Sequence, residues 1–310
     1  MEFKEFNKQV VQALEQFLGK GAIVSVRDIY KNNGILLHGL TIMDGQSNLW
    51  PTIYLDDLYQ EHLKGTALGS IIKEILHIYE NSRVKGKVSM DFFRDYEQTR
   101  RKIFCKIINY EKNVEMLREV PFRRYEDLAV VCYYAYVSEL VGNGSITIRR
   151  EHLETWQIDE KQLFQEAMEN TRRELPYQWY NMNAMVRELC KEETCEEEDI
   201  EECADLLWEE IFPGKKASPM YVVTNHNKYF GAICMIYEDM LEEMGERIGS
   251  DYVILPSSIH EVILVAAGHM SAEKLRAMVR EVNELHVDPQ EVLSDNVYYY
   301  NRSLRRLSLL

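Results

Sequence analysis

Pro256-Ser257-Ser258-Ile259-His260-Glu261 brings hydroxyls, an imidazole and a carboxylate into one short stretch between two apolar runs. A serine hydroxyl becomes a nucleophile when a histidine within hydrogen-bond reach takes its proton. Ser258 and His260 are the pair this stretch offers for a hydrolase, because side chains two apart on an extended chain share a face. The same alternation turns Glu261 away from His260. No glycines flank the serine as in the G-x-S-x-G elbow. The competing account is a Pro-Ser-Ser turn whose hydroxyls satisfy local backbone groups, with His260 at a strand edge. The turn is the better account.

Other groupings of reactive residues are weaker. His260-Glu261 is followed by Leu264 where the H-E-x-x-H zinc pattern needs a second histidine. Cys190, Cys195 and Cys203 share a window, but they contain no C-x-x-C pair and define no fourth ligand. No metal or cofactor is expected. Asp56, Asp57 and Glu61 form a carboxylate group that a divalent ion would suit. Acids at the start of a helix are the simpler reading, since they favour the positive end of its dipole. No glycine-rich phosphate loop is present. Tyr298-Tyr299-Tyr300 followed by Arg302, Arg305 and Arg306 is a combination that stacks bases in other proteins. Here it reads as a final strand with a solvated basic tail.

These residues need elements to hold them. Phe3, Phe6, Val10, Leu14 and Phe17 recur at helical steps, and Gly19 and Gly21 close that helix. Strands at 22–30 and 35–43 flank Asn32-Asn33-Gly34, a hairpin signal because Asn-Gly supplies positive φ. A short extended piece at 50–55 leads into helix, and Leu68 to Tyr79 carries a second apolar stripe. Phe92 and Phe93 sit on a short helix. Residues 103–108 favour strand, and 128–137 with 145–148 read as a second hairpin around Gly142-Asn143-Gly144. Helices follow at 159–175 and 178–192, separated by Pro176.

The C-terminal third reads as ββα, ββα, β. Its strands are 220–224, 229–236, 252–255, 262–266 and 297–300, and its helices begin near Tyr237 and Ser271. Residues 250–267 would then be a buried hairpin at the centre of the C-terminal sheet. Short links suit antiparallel hairpins backed by helices, so the expected class is α+β. Two lobes, 1–212 and 213–310, meet at the linker-like Pro213 to Pro219, with one continuous domain as the alternative.

The chain has 310 residues, 46% of them hydrophobic, which is enough to bury a sizeable core. Its net charge of −15 is concentrated, because twelve acids and one lysine between Glu188 and Glu210 contribute −11 and leave −4 elsewhere. That block reads as a helix with a solvated face, since apolar residues persist at helical spacing. The basic clusters are short and dispersed, so nucleic acid is not an expected partner. No apolar run is long enough for a membrane span, and the start of the chain lacks the order of a signal peptide. Six scattered cysteines in so long a chain fit a reduced, cytoplasmic protein.

KNNGILLHGLTI, PTIYLDDLY, INYEKN, MYVVTNHNKYFGA, ILPSSIHEV and VNELHVDPQEVLSDNVYYY resemble an uncharacterised bacterial domain-of-unknown-function family, common in gut anaerobic Gram-positive bacteria. The resemblance spans about Lys31 to Tyr300. It implies a single soluble cytoplasmic unit and brings no catalytic residues with it. The expectation is a non-catalytic binding or regulatory protein, with a protein partner and an oligomeric state that the sequence leaves open. The alternative is a hydrolase using Ser258 and His260.

Overall fold

A computed structural model describes residues 1–45, 47–83, 91–138, 142–182, 220–256, 258–268 and 270–310. These fall into two compact units, residues 1–98 with 136–144, and residues 99–135 with 145–310. Pro213 to Pro219, the acidic block and Cys190, Cys195 and Cys203 lie outside the described residues.

The first unit follows its sequence pattern closely. Helix α1 (Phe3–Leu18) buries Phe6, Val10 and Leu14, and Gly19 ends it at φ 73°. Strands β1 (Ile23–Tyr30) and β2 (Leu36–Met43) pair antiparallel across the Asn32–Gly34 turn, where Asn33 and Gly34 take the positive φ the dipeptide favours. Strand β3 (Thr52–Tyr54) completes a three-stranded sheet. Helices α2 (Leu55–Leu63) and α3 (Leu68–Ser82) add Leu55, Leu58, Ile71 and Ile75 to one core with Leu40 and Ile42.

A short helix, α4 (Tyr96–Thr99), spans the unit boundary, and β4 (Ile103–Asn109) then opens a four-stranded sheet. The remaining elements of this region are α5 (Val114–Leu117), β5 (Phe122–Tyr125), β6 (Leu128–Ser138) and β7 (Gly142–Thr147). The order is β4-β6-β5, with β7 also on β6. After α6 (Arg150–Trp156), helix α7 (Glu160–Glu174) fastens to β4. The buried Thr171 hydroxyl accepts the Cys105 N–H at 2.8 Å, and Asn170 Nδ2 donates to the Ile103 carbonyl at 3.1 Å.

The C-terminal sheet has six strands, β8 (Tyr177–Asn181), β9 (Tyr221–Asn225), β10 (Tyr252–Leu255), β11 (Val262–Ala266), β12 (Tyr298–Asn301) and β13 (Arg306–Leu309). Their order is β13-β12-β10-β11-β9-β8, with neighbours antiparallel. The β10–β11 pair is central, as its unbroken apolar runs require. Helices α8 (Glu238–Ile248) and α9 (Ala272–His286) complete the unit. The class is α+β.

The C-terminal unit departs from the expected ββα, ββα, β in three ways. Residues 229–236 are not a strand, because Gly231–Ile236 is a 3₁₀ turn entered through Phe230 at φ 55°. The first residues of the helix expected at 178–192 form edge strand β8 instead, where Tyr177, Trp179 and Tyr180 pair with β9, and residues 183–192 lie outside the described residues. Aromatic β-propensity next to an available sheet edge outweighs helical spacing there. The basic tail is not a solvated end. Its RLSL segment alternates as a strand, buries Leu307 and pairs with β12.

Candidate functional site

The Ser258 and His260 side chains are both committed to backbone. Ser258 is buried; its N–H donates to the Glu261 carbonyl at 3.2 Å, and its Oγ accepts the His260 N–H at 3.0 Å. This is the hydroxyl-stabilised turn that Pro-Ser-Ser sequences build. His260 Nδ1 accepts the Phe230 N–H at 3.1 Å. A backbone N–H can only donate, so the neutral ring carries its proton on Nε2. Nε2 lies 3.3 Å from Glu291 Oε1. Among the described residues the imidazole and the Ser258 hydroxyl share no hydrogen bond. Ser257 lies outside the described residues.

The imidazole acts as a template for the loop before the 3₁₀ turn. Buried Asn225 ties that loop down, donating to the Tyr229 carbonyl at 2.8 Å and accepting the Asn227 and Tyr229 N–H groups at 3.1 and 3.3 Å. Lys228 and Phe230 both adopt left-handed backbone, at φ 53° and 55°. Such a conformation is costly for a bulky side chain, and it persists where the surroundings over-determine it. Gly231 is part of that determination. A Cβ there would stand 2.2 Å from Thr224 Oγ1, 2.4 Å from the Asn225 nitrogen and 2.6 Å from the His260 carbonyl oxygen.

The loop presents an aromatic group. Phe230 stacks on His260 with planes 7° apart, and Tyr229, 49% exposed, covers both rings at 4.0 and 5.1 Å between centroids. Tyr133 of β6 meets Phe230 edge-on at 5.0 Å. Lys106 of β4 completes the cluster, with its ammonium 4.2 Å from the Phe230 centroid and 5.8 Å from that of Tyr133. The other six β4 residues are all buried, and Lys106 is half-buried among them. Among the described residues no carboxylate pairs with it. Burial pulls its pKa down to about 8, because taking an ammonium from water disfavours the charged form.

The remaining candidates have plain structural roles. Asp56 sits in the first turn of α2 and clamps His38, accepting its N–H and facing its Nδ1, both at 2.8 Å. Cys105 and Cys132 face each other across β4 and β6 with sulfurs 3.9 Å apart, both buried. Burial pushes the Cys132 thiol well up and the buried Cys234 thiol to about 12, so neither forms the reactive thiolate. Among the described residues no group of three or more His, Cys, Asp or Glu side chains is placed to hold a metal. Likewise, no helix among them is long and apolar enough to cross a membrane.

A family model matches residues 3–302, nearly the whole chain. The chain belongs to DUF5688, a family of unknown function. No curated protein and no solved structure matches it. DUF5688 membership therefore assigns no residue a role, and geometry must carry the reading. The site that sequence reasoning missed in this DUF5688 chain is the lysine. Its signal was present as one cation inside the apolar run IFCKIIN.

Proposed function

We propose that this protein is a non-catalytic binding or regulatory protein of the bacterial cytoplasm, with its ligand seat at Lys106, Tyr229 and Phe230. The observation that carries the reading is the Lys106 ammonium, half-buried against aromatic faces with no carboxylate partner among the described residues. A cation so placed is stabilised in part by the ring quadrupoles and retains its capacity for an anion. Tyr229, half-exposed against Phe230, offers a face on which a planar group stacks. The ligand class is a planar anion. The strained, over-determined loop supports the reading, because a seat fixed before binding loses less entropy when it is filled.

The test is binding of 2-naphthoate, compared with the uncharged 2-naphthamide, by ligand-observed NMR on the full chain. The carboxylate is expected to bind about tenfold or more tighter than the amide, and Lys106→Met to abolish that difference. Equal binding of both probes, or no binding of either, rejects the seat.

A further inference from the structure

A cleft of about 440 Å³ in the second unit lies among α8, the residues leading into β10, and the β12–β13 turn. Both signs of charge line it, and most are already used. Arg305 pairs with Glu242 at 3.0 Å. Asp251 accepts the Tyr299 hydroxyl at 2.5 Å and the Arg302 N–H at 3.0 Å. Three groups are unspent among the described residues. The Arg302 guanidinium makes no ion pair, although it lies within electrostatic reach of Asp251, Glu246 has none, and the Tyr300 hydroxyl has no hydrogen-bond partner. The Tyr300 ring is buried while its hydroxyl is not among the buried unpartnered atoms, so a phenol O–H remains available at the cleft for an acceptor.

Gly245 is an independent sign of construction. Glycine is a poor residue for a helix interior, and Gly245 sits within α8. A Cβ there would stand 3.2 Å from Arg302 Cγ and 3.4 Å from both Arg302 Nε and Tyr300 Cε1. The missing methyl lets the arginine lie across the helix at the cleft wall. A simple anion would meet the carboxylates of the rim, and a simple cation would meet the arginines. Arg302 and Glu246 line the same cleft without pairing with each other. We infer that this cleft binds a small zwitterion, an α-amino acid, with its carboxylate on Arg302 and the Tyr300 hydroxyl and its ammonium toward Glu246.

The test is calorimetric titration of the full chain with the common L-amino acids, followed by the N-acetyl and methyl-ester derivatives of the tightest binder. Each derivative removes one charge and is expected to bind about tenfold or more weaker. Gly245→Ala should fold normally and lose affinity by a similar factor, because its methyl pushes Arg302 into the cleft. Should that variant melt early, Arg302→Gln provides the same loss. Failure of every amino acid to bind overturns the inference. So does equal binding of either derivative, or wild-type affinity in the folded variants.

Discussion

Asp127 and Lys106 are half-buried charges on one sheet, and the protein treats them oppositely. Asp127, in the β5–β6 turn, accepts the Ser294 hydroxyl at 2.6 Å, the Asn296 side-chain amide at 3.0 Å and the Tyr298 hydroxyl at 2.6 Å. Among the described residues Lys106 receives only aromatic faces. A carboxylate filled by its own chain has little capacity left for anything else, and its work is to hold the C-terminal segment in place. A cation left without a counter-charge costs stability, and that cost points to a ligand. The difference separates a charge spent on the fold from one that the proposed seat would use.

The frame of the seat gives the largest expected effect. Gly231→Ala drives a methyl against two backbone atoms and should destabilise the fold by about 3–4 kcal/mol in urea unfolding, with the seat lost. An effect below about 1 kcal/mol would mean the loop is not over-determined. Asp127→Ala should cost about 3 kcal/mol, since it strands the buried Tyr298 hydroxyl, while 2-naphthoate binding stays unchanged. Loss of that binding in a folded Asp127 variant would break the contrast.

Lys106→Met should act in the opposite direction and stabilise the protein by about 1–3 kcal/mol at pH 7. The sign follows from the lowered pKa. Below about pH 8 both the folded and unfolded states hold the proton, so the burial cost is fully present. Between about 8 and 10.5 the unfolded chain binds more protons than the folded one, and wild-type stability rises with pH. The advantage of the methionine variant should therefore shrink across that window. A gain that does not vary with pH would show that packing, not charge, is responsible.

Much of the frame was legible in the sequence, and the site was not. Lys31-Asn32-Asn33-Gly34 announces its hairpin because φ preference is local, and the apolar runs of β10 and β11 announce the sheet centre. The Phe230 conformation is a tertiary property. It exists because Gly231 approaches the His260 carbonyl, and residues thirty apart do not advertise that contact by periodicity. Ser258 and His260 looked like chemistry because their types match a dyad. In the structure the imidazole nitrogen that accepts a hydrogen bond takes it from a backbone N–H, a partner no sequence pattern announces. Arg306 to Leu309 was hidden by its charge, although Leu307 and Leu309 alternate as a strand should.

The Lys106 ammonium is half-buried with no carboxylate partner among the described residues, and its own titration tests most directly whether it is free for an anion. Site-assigned NMR of the Lys106 Cε across the pH range should give a midpoint near 8 in the free protein, moving upward when 2-naphthoate is bound. A midpoint near the ordinary lysine value of 10.5, unmoved by the anion, would contradict the account.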